Sequence, residues 1–368
     1  MKLKLITGIV LTLLLMGMLM LAFNIQPVKT SGTNYIRGDA SVGPSTVPIS
    51  ESQRTIDLLK LPRLVMTFYH DWYGNTTGPT GEWVHWNHPI WDTRTGEEIG
   101  RHNPETFIGP NLRDIGATNY PTLGPYDNRD PESIKWHIKL ALETGIDAFI
   151  IDWWGDTTGS ELTDVNMGIM MNVSEGESLG MKFLILLDGL WIGPRRPTDE
   201  TIKRLEYAIE KYGSRPSYLK IQGFPVVFIY SASVYSPATW RNIISKIRGD
   251  GYNAFLFGDA FSEEYAKAFD GLQNYSPSVW IDRDQNLTNI YLGYGYLARA
   301  HKEPLGLAVL PGYDDTKVRY PGMVIPREHG ATYNATWKAA FASGCQWALI
   351  CSWNEWHEGT EIEPSIEY

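Results

Sequence analysis

The 368-residue chain is 43% apolar, which suffices for a sizeable core in one large domain or two. A formal net charge of −10 argues against nucleic acid as a partner. Its two cysteines, Cys345 and Cys351, are too few for a disulfide framework and read as free thiols of the core.

Lys2 and Lys4 precede nineteen uncharged residues, Leu5 to Phe23. At ~1.5 Å per residue this run nearly spans a bilayer, and it closes without a clear small-x-small cleavage site. The reading is a signal anchor over 1–23, with the lysines inside and the remainder extracytoplasmic. A signal peptide cut near Ala22 is the alternative. Membrane contact is therefore expected through this segment alone. Residues 24–60 are polar, with scattered Pro, Gly, Ser and Thr, and read as a linker. Five Asn-x-Ser/Thr triplets, starting at Asn75, Asn172, Asn274, Asn286 and Asn334, fit an exported chain.

From Leu61 to Tyr368, apolar runs alternate with helical stretches. The runs are Leu64–Tyr69, Ala148–Trp153, Lys182–Leu187, Pro225–Tyr230, Ala254–Phe257, Phe269–Gln273, Gly306–Leu310 and Gln346–Ser352. Amphipathic stretches include Glu132–Glu143, Thr201–Lys211, Pro237–Arg248 and Asn334–Ser343. Continuous apolar strands alternating with helices predict a parallel sheet covered by helices, and eight of them predict an α/β fold, a (β/α)8 TIM barrel. Two features strain that barrel. The first strand-to-helix connection runs from about 70 to 130, a length usual for functional loops. Only ten residues follow Glu358, so the barrel lacks its last helix. An open barrel, a gap covered by the early segment and a shortened chain are the alternatives.

Polar and aromatic residues gather at the carboxyl ends of these strands, where barrels hold their chemistry. They include Asp71-Trp72-Tyr73, Trp154, Asp188, Tyr230, Asp259, Tyr275 and Pro311-Gly312-Tyr313-Asp314. The last strand opens into Ser352-Trp353-Asn354-Glu355-Trp356-His357-Glu358, two acids set among aromatic rings. Cleavage of a sugar bond needs such a pair, one acid to give a proton and one to help displace the leaving group. Aromatic surroundings raise carboxyl pKa values by desolvation, which suits that work.

Glu355 and Glu358 are thus the candidate catalytic residues. Candidate sugar contacts are Tyr69, Trp72, Tyr73, Trp86, Tyr126, Trp154, Tyr230, Tyr275, Trp356 and His357. For Tyr69 and Tyr73, packing is an equal alternative to hydrogen bonding with sugar hydroxyls or a catalytic carboxylate. One ring of the pair Trp153-Trp154 faces the core; Trp154 is the one expected at a sugar. Asp152 and Asp188 either position ligands or bind backbone amides, and Arg319 is expected to hold an acid such as Asp315. His85, His88 and His102 lack the fixed spacing of a zinc site, so neither metal nor cofactor is expected.

These motifs resemble glycoside hydrolase family 99, the endo-α-mannosidases. The resemblance rests first on Trp353-Asn354-Glu355-Trp356-His357-Glu358-Gly359-Thr360-Glu361-Ile362-Glu363. Supporting matches are Phe68-Tyr69-x-x-Trp72-Tyr73-Gly74-Asn75, Gly124-Pro125-Tyr126 with Asp130, Asp152-Trp153-Trp154-Gly155, Phe269-Asp270-Gly271, and Pro311-Gly312-Tyr313-Asp314-Asp315-Thr316 with Arg319. In order they cover about residues 64 to 364.

The resemblance implies a retaining enzyme that cuts inside α-mannose-containing glycans without a metal. It implies that Glu355 draws the proton from the sugar 2-hydroxyl, so that the sugar attacks its own anomeric carbon and forms a 1,2-anhydro intermediate. It implies that Glu358 protonates the leaving oxygen and later activates water. The sequence departs from the family pattern where Glu361 stands in place of the usual Gln. It departs again where Gln273 replaces the first of a tyrosine pair whose second member is Tyr275. A glycosidase for another α-linked polysaccharide and a glycan-binding protein without turnover are the competing readings; a metal-dependent hydrolase is a distant one.

Overall fold

A computed structural model of the chain describes residues 56–156, 162–190 and 196–368. The expected anchor over 1–23 and most of the expected linker lie outside the described residues. Ile56, at the end of that linker, is buried in the core together with Leu61.

Eight parallel strands close on themselves. They are β1 (Leu64–Tyr69), β2 (Ala148–Trp153), β3 (Lys182–Leu187), β4 (Phe224–Ile229), β5 (Phe255–Gly258), β6 (Gly271–Gln273), β7 (Leu305–Val309) and β8 (Trp347–Ile350). Each pairs with its sequence neighbours, and β8 pairs with β1 in the register Leu64↔Trp347 to Thr67↔Ile350. The expected (β/α)8 barrel is the observed fold. The three strands β1 to β3 span the predicted residues, whereas β6 is shorter by the two residues Phe269 and Asp270.

The helices between them are α1 (Pro131–Glu143), α2 (Thr163–Gly176), α3 (Thr198–Gly213), α4 (Pro237–Gly249), the short α5 (Glu263–Ala266) and α6 (Ser278–Asp282), α7 (Leu287–His301) and α8 (Ala331–Ser343). Their starts are written locally. Asp130 accepts from the amides of Glu132 and Ser133 and is followed by Pro131, and Ser236 caps Thr239 ahead of Pro237. Both follow the preference for an oxygen-bearing cap and a proline in the first turn.

The barrel interior is filled by side chains. The ring of Trp347 on β8 lies 4.9 Å from that of Phe257 on β5 and 6.1 Å from that of Phe228 on β4. These strands lie across the barrel from β8, so the rings plug its centre. Gly271 makes room for this packing, since a Cβ there would come within 2.3 Å of the Phe257 ring.

The long connection from β1 to α1 folds into its own small structure. It forms two hairpins, Pro89–Asp92 with Glu98–Arg101 and Phe107–Gly109 with Leu112–Arg113. The pair Arg319–Tyr320, from the β7-to-α8 connection, adds a strand to the first hairpin. A second apolar cluster, Tyr73, Trp86, Ile115, Ala117, Tyr126 and Trp356, seals this layer against the loop after β8.

Residues 351–368 form turns and no helix. They lie against the same layer: Ser365 bridges to Pro121, and the Ile366 amide donates to the carbonyl of Tyr120 at 2.9 Å. Among the described residues no helix is long and apolar enough to cross a membrane. Of the five glycosylation triplets, the one at Asn274 is closed. Its side chain is buried between the Ala308 amide and the Tyr291 hydroxyl.

Candidate active site

The site begins with a backbone clamp. His70 follows the last residue of β1, and its amide donates to Asn354 Oδ1 at 2.8 Å while its carbonyl accepts from Asn354 Nδ2 at 2.8 Å. The Asn354 amide thereby extends the β1–β8 pairing past the end of the sheet. The Glu355 amide donates to Ser352 Oγ at 2.7 Å, which tightens the turn. Together these bonds aim Glu355 into the barrel mouth.

Glu355 is 3% exposed. Its Oε1 lies 3.3 Å from Nδ1 of His357, and its Oε2 lies 3.6 Å from Nε2 of His70. That imidazole nitrogen is also 4.0 Å from Oδ2 of Asp152 and 3.5 Å from the Tyr275 hydroxyl. Strands β1, β2, β6 and β8 thus contribute to one cluster. Burial raises the Glu355 carboxyl above its ordinary range, opposed by the charges of His70 and Arg319 and by the amides of His357 and Glu358. Burial also lowers His70, opposed by the charge of Glu355.

Glu358 stands in a different setting. Oε1 lies 3.3 Å from the guanidinium of Arg319, which also donates to Asp315 at 2.8 Å and to the Tyr313 hydroxyl at 2.9 Å. Tyr313 completes this group, its hydroxyl donating to Asp315 at 3.0 Å. Burial, reinforced by the charge of Glu355, pushes the Glu358 carboxyl up to about 7, against the pull of Arg319. Two acids that sense one another in a desolvated mouth do not both ionise easily, so one is ready to donate a proton near neutral pH. The expected pairing of Arg319 with Asp315 is present, and the arginine reaches Glu358 as well.

Four of the expected sugar contacts are partly open: Trp72, Trp154, Tyr230 and Tyr275. Trp154 donates from Nε1 to Asp152 at 2.9 Å, Trp72 stacks on His85 at 4.5 Å, and Tyr230 meets Tyr275 edge-on at 5.5 Å. The structure places the other six deeper. Tyr69 is fully buried and spends its hydroxyl on Nδ1 of His137 and on Asn128. Tyr73 stacks on Trp86 at 4.2 Å and accepts from the Trp356 amide. Tyr126 bonds Asn354, Trp356 and Glu363. His357 is 5% exposed and lies against His88, 4.3 Å between ring centres. The physical reason is the long connection, which packs over these rings and makes them the floor beneath the acids.

The family follows from the chain as a whole. A family model described as Glycosyl hydrolase family 99 matches residues 60–368. The chain belongs to glycosyl hydrolase family 99. It is therefore a glycoside hydrolase. A glycoprotein endo-alpha-1,2-mannosidase from Xenopus laevis is 28% identical over 365 residues, which is 90% of this chain and 78% of the relative. One from Rattus norvegicus is 28% identical over 340 residues, 84% of this chain and 70% of the relative. A solved GH99 endo-alpha-mannosidase from Bacteroides thetaiotaomicron superposes with a TM-score of 0.71 at 27% identity, covering 83% of this chain and 89% of that one.

Within this family 99 chain, sequence reading passed over His70, Asn354 as a clamp, His137 and Glu363. The signal was present for His70, which stands between the two quoted ends of Phe68-Tyr69-x-x-Trp72. His137 gave none, because a histidine in the middle of an amphipathic helix looks like any core residue.

Proposed function

We propose that this chain is a retaining, endo-acting hydrolase of α-mannosidic linkages in mannose-containing glycans, working through a 1,2-anhydro sugar. The observation that carries the reading is the unlike pair of buried acids at the barrel mouth. Glu358 is pushed up to about 7 beside Arg319, and Glu355 is enclosed by His70 and His357. The similarity to endo-alpha-1,2-mannosidases and to the Bacteroides enzyme supports the choice of mannose.

In this mechanism Glu355 takes the proton of the axial 2-hydroxyl. O2 then attacks C1 from the face opposite the leaving group, and Glu358 protonates the departing oxygen. The ionised Glu358 next draws a proton from water, which attacks C1. The C1–O2 bond breaks, and O2 recovers its proton from Glu355. Two inversions give retention. Trp154, Tyr230 and Tyr275 are proposed to line the sugar positions, since flat rings with a polar edge suit pyranose faces. Export, with residues 1–23 as membrane anchor, is proposed from the charge pattern of that segment.

The test is incubation with α-mannan and a panel of other α-glycans, reading product size and anomeric form. Oligosaccharides released from mannan as the α anomer are expected. Release of monosaccharide only, or of the β anomer, overturns the reading. Glu358→Gln is expected to lose at least a thousandfold on poor leaving groups while retaining binding. Azide is not expected to rescue Glu355→Gln as a β-mannosyl azide, because the base forms no bond to carbon.

A further inference from the structure

The contact between His357 and Glu355 constrains where a proton can sit. Nε2 of His357 lies 3.0 Å from the carbonyl oxygen of His85. A carbonyl only accepts, so Nε2 carries hydrogen. In the neutral ring Nδ1 then has no hydrogen and presents a lone pair. That lone pair faces Oε1 of Glu355 at 3.3 Å, in a site where both groups are almost wholly buried. Two lone pairs facing each other there carry a cost that one shared proton removes. Oε2 of Glu355 is the other side of the carboxyl, 3.6 Å from Nε2 of His70, buried and without a hydrogen-bond partner among the described residues.

We propose that His357 is a positioning residue for Glu355, sharing one proton with Oε1 through Nδ1 and leaving Oε2 as the oxygen that takes the sugar proton. The inference rests on the reading of Glu355 as the base. In the first step the O2–H bond breaks and a new O–H bond forms at Oε2. At the same time the shared proton moves from Oε1 to Nδ1. The carboxyl ends neutral, and the imidazolium donates from Nδ1 to Oε1 and from Nε2 to His85. Glu358 gives up its proton to the leaving oxygen in the same step, so the positive charge gained at His357 is matched by a negative charge nearby. In the second step the transfers reverse: Oε2 returns its proton to O2 as the C1–O2 bond breaks, and Nδ1 returns the shared proton to Oε1.

The surroundings of His357 suit a ring that is neutral at rest. His85 and His88 pack against it from the long connection, with ring centres at 5.4 and 4.3 Å, and Trp72 and Tyr73 lie at 6.1 and 5.5 Å. Burial is the largest factor taking His357 down to about 4, and Arg319 from the β7-to-α8 connection and His102, just past the first hairpin, also act against a second proton. Glu355, backed by His70 on its far side, is the acid that faces it.

The test uses the full chain and two readouts. In the relay the imidazole must be neutral, so the acid limb of kcat/KM is expected near pH 4 in the parent enzyme. In His357→Asn the relay is gone and Glu355 must ionise by itself from its raised position. The expected results are a fall of about 100-fold in kcat/KM and an acid limb moved up by about one pH unit or more. A limb that stays in place, whatever the rate, overturns the inference. The second readout needs neither substrate nor a folded variant. Nitrogen NMR of the 15N-histidine-labelled parent enzyme at pH 7 is expected to show His357 hydrogen-bearing at Nε2 and bare at Nδ1. A neutral ring with hydrogen at Nδ1 overturns it. Failure of the parent enzyme to cut any α-mannoside strikes the proposed function, while hydrogen at Nδ1 of a neutral ring strikes the relay whatever the activity.

Discussion

The phenol of Tyr126 donates to Oε2 of Glu363 at 2.8 Å, deep beneath the two catalytic candidates. The Tyr126 hydroxyl oxygen accepts in turn from Nδ2 of Asn354 at 3.0 Å and Nε1 of Trp356 at 3.2 Å. One hydroxyl thus fixes residues on both sides of Glu355. The other oxygen of Glu363 accepts from Nε2 of His137 on α1 at 3.1 Å, so the loop after β8 is tied to the first helix as well.

Tyr126→Phe removes an acceptor for two buried N–H groups and a donor to a buried carboxylate. The expected loss is about 2 to 4 kcal/mol of stability, measured by urea denaturation, because buried polar groups are left unpaired. A fall of roughly 10- to 100-fold in kcat is expected too, since small displacements of a reacting group are costly. Stability within about 0.5 kcal/mol of the parent would show that water replaces the hydroxyl without loss.

Arg319→Met removes the charge that holds the Glu358 carboxyl down. With it gone, that carboxyl moves further above 7. In the proposed mechanism Glu358 works protonated in the first step, so the alkaline limb of kcat/KM is expected to move to higher pH. Rates measured from pH 5 to 10 check this. A limb shifted to lower pH contradicts the assignment of Glu358 as the acid.

Glu361 carries a charge beneath the site. Its Oε1 accepts from Arg327 at 2.6 Å and from Asn119 at 2.7 Å, while burial pushes the carboxyl up to about 7 from an ordinary 4.5. The folded-state value is the higher one, so the folded chain binds more protons in that window. Ionising Glu361 therefore costs stability progressively as pH rises from about 4.5 to 7. Glu361→Gln keeps the contact with Asn119 and is expected to gain on the parent by about 1 to 3 kcal/mol at pH 8 relative to pH 4.5. Denaturation curves at the two pH values measure this difference, and a gap that does not change with pH contradicts it.

A strong chelator is expected to leave kcat unchanged. Among the described residues no group of three His, Cys, Asp or Glu side chains is arranged to hold a metal ion. The site also carries its own cation in Arg319 beside Glu358. Activity lost on chelation and restored by a divalent ion would require a different mechanism.

The barrel was legible because parallel strands buried on both faces are written as short, unbroken apolar runs, such as Ala148–Trp153. The acids were legible because Trp353 to Glu363 place them close together in sequence at a strand end. The floor of the site was harder to read. Tyr73, Trp86, Tyr126 and Trp356 have the composition of a sugar platform, and only the folding of the long connection shows that they face each other instead. His70 and His137 depend on partners more than 200 positions away, at Asn354 and Glu363. No local pattern encodes such pairings.

The pairing of β1 with β8 carries a consequence for how the molecule assembles. Thr67 and Ile350 are bonded across 283 positions of chain. Until that seam forms, β1 and β7 each present an unpaired edge, and the two halves of the active centre remain apart. Ring closure is thus a late, high-entropy event. An emerging chain that has not yet delivered Trp347 to Ile350 carries sticky strand borders and no catalytic competence, so synthesis itself times the appearance of activity.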